Sequence, residues 1–110
     1  MEKPTTIAEL MQQMPRAFLP DKAGSVNTVV QFNLSGEGGG TWAVKIADGK
    51  CEVSEGKADA PKATVTASAT DYLAIARGEL NAVSAFMGGK LKVAGDMSLM
   101  MKFMDWFARP

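Results

Sequence analysis

Between Val26 and Ser68 the apolar residues of this chain recur at every second position, while before it and over most of the chain after it they recur every third or fourth. A period of two belongs to strands with one buried face, and a period near 3.6 to helices. In "VNTVVQFNLSG" Val26, Thr28, Val30, Phe32 and Leu34 alternate with Asn27, Val29, Gln31 and Asn33. "GEGGG" then joins this strand to "TWAVKIADGK", where Trp42, Val44 and Ile46 share a face. Asp48-Gly49 is a strong hairpin signal, with "CEVSEG" as the returning strand. In "ADAPKATVTASAT" Ala63, Val65 and Ala67 alternate with Thr64, Thr66 and Ser68. Those inward residues are small, so either the core is thin there or another element fills the space.

The helical stretches flank this block. In "TTIAELMQQMPRAFLP" Thr5 or Thr6 can cap, and Thr6 and Glu9 match a capping box. Ile7, Leu10, Met11 and Met14 form a stripe, with Pro15 expected to disfavour helix at Met14 and Pro20 to close the segment. "DKAGS" reads as a turn. After the strands, Ser68 or Thr70 caps a helix with Tyr72, Leu73, Ile75 and Ala76 on its face, ended by Gly78. "NAVSAFMGG" predicts a short helix with Val83, Phe86 and Met87 inward. "KLKVAG" predicts a strand with Leu91 and Val93 inward and Lys90 and Lys92 outward, and Gly95-Asp96 opens a terminal helix. Grouped strands argue for one α+β domain over residues 1–110: an antiparallel run of four strands, a fifth further on, and helices stacked on one sheet face.

The chain has 110 residues, 46% hydrophobic and 22% charged, with no net charge. A neutral balance argues against a nucleic-acid partner and against adhesion to anionic membrane by charge alone. No apolar run approaches the roughly 18 residues that would cross a bilayer, and "MEKPTTIAEL" has no signal-peptide pattern. A cytoplasmic location is therefore expected. Histidine is absent and Cys51 is the single cysteine, so zinc sites, Cys/His dyads and internal disulfides are excluded. These absences favour a binding module over an enzyme, with no metal and no cofactor. Cys51, beside Glu52, has nothing to lower its pKa and reads as a small buried hydrophobe. "GEGGG" lies between strands and lacks a phosphate-loop lysine, and "GGKLK" reads as a helix stop before an edge strand.

The terminal stretch "GDMSLMMKFMDWFARP" is apolar almost all round. Its polar residues, Ser98, Lys102, Asp105 and Arg109, make one narrow stripe. Such a helix is a buried core element, a helix docking on a partner or membrane, or one that closes an internal cavity. Methionine, flexible and polarisable, suits a wall for ligands of variable shape.

The segment "PKATVTASATDYLAIARGELNAVSAFMGGKLKVAGDMSLMMKF" closely resembles the second half of the sterol carrier protein-2 domain family. The matching positions are Val65, Asp71 with Leu73, Gly78 and Leu80, Ala85-Phe86, then Gly89, Lys90, Leu91, Val93, Gly95 and Asp96. "VVQF", "TW" and "ADGKCEV" agree more loosely with the family's opening strands. The resemblance implies a five-stranded, mostly antiparallel sheet with helices on one face enclosing a hydrophobic tunnel, and non-catalytic binding or transfer of fatty acid, acyl-CoA, phospholipid or sterol. It makes the terminal helix a lid. On that basis Val30, Phe32, Trp42 and Val44 are expected in a sheet wall, and Leu73, Ala76, Phe86 and Met87 in a helical wall. Met100, Phe103, Met104 and Phe107 are expected on a movable side. Tyr72, Lys90, Lys92 or Lys102 is a candidate for meeting a headgroup. The chain ends in Ala108-Arg109-Pro110 in place of a Ser-Lys-Leu-type peroxisomal address, so a free-standing prokaryotic-type member holding an acyl chain is expected. Contact with membrane would be at most transient. The alternative is an accessory protein that presents a lipophilic substrate, such as a quinone precursor, to enzymes, or a module that dimerises through the C-terminal helix.

Overall fold

The computed structural model describes residues 3–108, and within its last helical turns leaves the side chains of Met100, Met101 and Met104 undescribed. Helix α1 (Ile7–Ala17) starts where the Thr6 hydroxyl accepts from the Glu9 amide at 3.1 Å, while the Glu9 carboxylate accepts from the Thr5 hydroxyl at 2.6 Å. The expected reciprocal cap is thus displaced by one residue on its return arm. The helix does not stop at Met14. Pro15 sits inside it on the exposed side, and the loss of one backbone hydrogen bond is offset because Met14 and Ala17 prolong the buried stripe. The expected turn at "DKAGS" is one helical turn, α2 (Pro20–Ala23), ended by Gly24 at φ 63°.

Strands β1 (Thr28–Ser35), β2 (Gly40–Ala47), β3 (Lys50–Glu55), β4 (Ala63–Ser68) and β5 (Leu91–Gly95) form one five-stranded sheet in the order β3-β2-β1-β4-β5. The β2–β3 turn is the two-residue hairpin that Asp48-Gly49 predicts, with both residues at positive φ. The first four strands do not run antiparallel throughout: β4 pairs parallel with β1, Val30 beside Ala63 and Phe32 beside Val65. Strand β2 takes one edge of β1, and β4 takes the other after residues 56–62 cross the sheet. That crossover runs over the face away from the helices. Gln31 points to that face, and its side-chain oxygen accepts from the Ala58 amide at 3.1 Å.

On the other face Val30, Phe32 and Val44 are fully buried beneath α1, α3 (Ala69–Ala76) and α5 (Met97–Phe103). Tyr72 and Phe103 stack on Phe32 at ring distances of 5.1 and 5.8 Å. Both helices also pack on β4. This explains its small residues: alanine at positions 63 and 67 leaves room for aromatic rings carried by other elements.

Helix α4 (Ala82–Met87) departs from its predicted face. Ala85 is the buried residue, whereas Val83, Phe86 and Met87 are exposed by 67%, 41% and 82%. With six residues the helix offers one buried position, which packs beside β5, and its large side chains stay accessible to solvent. The terminal helix is also shorter than its pattern suggests. Asp96 caps it by accepting from the Leu99 amide, and it ends at Phe103, followed by a 3-10 turn over Met104–Trp106. Ser98, Lys102 and Asp105 form the wet edge as expected, and Arg109 lies outside the described residues. The segment that follows is strapped down. Leu19 donates to the Trp106 carbonyl at 2.6 Å, Ala108 donates to the Ala17 carbonyl at 2.8 Å, and Phe107 bridges Phe18. Phe103 and Trp106 are buried within this chain. Among the described residues no helix is long and apolar enough to cross a membrane.

Candidate functional site

Helix α1 packs over β3, and its Ile7 and Met11 join Val30, Val44 and Ile46 in one buried cluster. That half of the sheet is filled. The other half is not: between α1, α3, α4, β5 and α5 lies a cavity of about 600 Å³. Leu10, Gln13, Met14 and Ala17 of α1 form one side, and Tyr72, Ile75 and Ala76 of α3 form the back. Leu91 and Val93 of β5 supply the floor, Leu80 before α4 and Val83 within it add a further side, and Met97, Phe103 and Phe107 close the C-terminal side. A volume of this order suits a drug-sized or lipid-sized molecule.

Four of the residues proposed as walls from the sequence meet on this surface: Ala76, Phe86, Phe103 and Phe107. Val30, Phe32 and Val44 do not reach it, because α1 and the Tyr72 and Phe103 rings cover them. Trp42 and Leu73 are half-buried against the same core rather than on the wall. Met87 is exposed and does not line the cavity. The side chains of Met100 and Met104 lie outside the described residues. The side expected to move is the one held by the backbone bonds of Leu19 and Ala108.

The sequence reading missed the contribution of α1. Its stripe is wide enough for two surfaces: Ile7 and Met11 serve the core alone, while Leu10 and Met14 belong to the core and also touch the cavity. Gln13 could have drawn notice as a polar residue beside that stripe. Leu80 and Asn81, in a connection, carried no periodic signal.

Tyr72 is on the wall and 5% exposed, and burial pushes its phenol above the usual range, so the hydroxyl is held neutral as a donor. Lys90, Lys92 and Lys102 are exposed and none lines the cavity. Burial, and then the neighbouring Glu52 carboxylate, push the Cys51 thiol up to about 11. Two units above its ordinary value leave about a hundredfold less thiolate. Labelling of the native protein by a thiol reagent at pH 8 should therefore be at least about a hundredfold slower than in denaturant. Equal rates would place Cys51 in an accessible, reactive setting.

The profile of the SCP-2 sterol transfer family matches residues 7–108. Hydroxysteroid dehydrogenase-like protein 2 of Bos taurus is 35% identical over 97 residues, covering 87% of this chain and 23% of that protein. Sterol carrier protein 2 of Homo sapiens is 41% identical over 73 residues, covering 64% of this chain and 13% of that protein. The solution structure of palmitated SCP2L2 from Aedes aegypti superposes with a TM-score of 0.75 at 28% identity, covering 94% of this chain and 93% of that one. The chain thus spans less than a quarter of the two curated relatives and nearly the whole of the solved domain. With an apolar cavity between sheet and helices and a match that runs from Ile7 to Ala108, the chain belongs to the SCP-2 sterol transfer family.

Proposed function

We propose that this chain binds a long-chain lipid in the cavity between α1, α3, α4, β5 and α5 and carries it without changing it chemically. The observation that carries this reading is the cavity itself: about 600 Å³ walled mainly by aliphatic and aromatic side chains. Each methylene withdrawn from water contributes about 0.8 kcal/mol, so a long chain binds firmly with little polar recognition. The family's description as sterol transfer and the palmitated state of the Aedes aegypti relative support a lipid of this size class. The exposed apolar residues point to the route of entry. Val83, Phe86 and Met97 line the cavity and are also exposed, with Met87 beside them, so they form an apolar mouth. Such a patch suits brief contact with the donor or acceptor of the ligand. On this reading Ala76, Phe86, Phe103 and Phe107 are ligand contacts.

Fluorescence titration with neutral N-phenyl-1-naphthylamine after delipidation tests the site. Ala76→Phe places a ring in the cavity and should weaken reporter binding at least about tenfold, with thermal unfolding changed by less than about 1 kcal/mol. Unchanged binding by a folded Ala76→Phe protein would show that the cavity is not the binding site.

A further inference from the structure

Among the described residues no lysine or arginine lines the cavity, and the one charged side chain that does is Asp105, an exposed carboxylate. It lies in the turn after α5, beside the lining residues Phe107 and Ala108. One cation next to a lining residue is already engaged. Arg77 precedes the lining residue Gly78, but its Nε donates to Glu79 at 3.0 Å and its Nη1 to the Pro4 carbonyl at 2.9 Å. The remaining polar groups are uncharged: the Gln13 amide, the Tyr72 phenol and Asn81. Asn81 caps α4 by accepting from the Ser84 amide, whereas Gln13 and Tyr72 make no side-chain hydrogen bond among the described residues.

We propose that the cavity selects lipids with an uncharged, hydrogen-bonding head, such as a long-chain alcohol or ester, over lipids with an anionic head. This rests on the lipid-binding reading above and narrows it. An anionic head drawn inside would lose its hydration with no lysine or arginine on the described wall to replace it. Along the wall it would meet Asp105, the one charged lining side chain among the described residues, and like charges repel. A hydroxyl or ester carbonyl meets neither penalty, and the neutral phenol of Tyr72 and the Gln13 amide can donate to it.

Competition against N-phenyl-1-naphthylamine at pH 8, with each competitor below its micellar concentration, tests this with two probes of equal chain length, tetradecanol and myristate. Tetradecanol should displace the reporter at a concentration about tenfold or more below that for myristate. Asp105→Asn should narrow that ratio by about threefold or more, and Gln13→Leu should weaken tetradecanol relative to the reporter. Equal displacement by the two probes in the unaltered protein overturns the selection while leaving lipid binding in place. If the reporter binds and neither probe displaces it, or the reporter does not bind at all, the lipid-binding reading fails and takes this proposal with it.

Discussion

Phe103→Ala should lower the free energy of unfolding by about 3–5 kcal/mol, the range for emptying a buried phenylalanine site. Phe103 is 1% exposed and stands at the centre of an aromatic group, with ring distances of 5.8 Å to Phe32, 6.0 Å to Trp106 and 5.1 Å to Phe107. The vacated volume would lie beside a cavity that already exists, and α5 is too short to collapse into it while its following turn is tied to Leu19. For a domain of this size the melting temperature should fall by more than about 12 °C. Phe107→Ala should lower it far less, because Phe107 is half-buried at the cavity. Calorimetry on both variants separates core from wall within one segment. A Phe103→Ala protein that melts within 3 or so degrees of the unaltered chain, against the roughly 12 °C expected, would show that this aromatic group does not hold the helix to the sheet.

Gly95→Ala is the second large effect. Gly95 has φ 96°, and an added Cβ would run into the Lys62 carbonyl oxygen and come within 3.0 Å of the Ala63 Cα. Both obstacles are backbone, so neither can swing aside. The Asp96 amide also donates to the Lys62 carbonyl at 3.0 Å, and Asp96 caps α5, so the clash reaches the start of the terminal helix. A loss of about 3 kcal/mol or more is expected from the clash and the left-handed backbone together. Gly38→Ala is the control. Its φ of 78° is left-handed too, but nothing lies within 4 Å, so it should lose only about 1–2 kcal/mol. Equal losses in denaturant titrations of the two variants would remove the steric argument for glycine before Asp96.

These two residues differ in how far the sequence announced them. Gly95-Asp96 stood out as a junction between strand and helix, and its close approach to Lys62 is the physical content of that punctuation. The family resemblance puts Phe103 on a lid, and only its contacts with Phe32 and Trp106 show that it belongs to the core as well. The crossing of β4 to the far side of β1 was not legible either. Periodicity reports which face of a strand is buried, but it is silent on which strand lies beside it.

The sequence by itself determined the class of the fold, the alternating faces of β1, β2 and β4, the Asp48-Gly49 hairpin and the absence of histidine chemistry. Each is a local property, set by side-chain period, turn conformation or residue type. The tertiary structure alone decided where the empty space lies. Helix α1 fills the β3 side of the sheet, so the residues with the clearest inward signal, Val30, Phe32 and Val44, are sealed in the core. The cavity falls instead toward β5 and α4, where Leu91 and Val93 are half-buried and Val83 and Phe86 are exposed. Burial by protein and contact with a ligand select the same apolar residues, so the pattern along a chain cannot tell a packed wall from a hollow one.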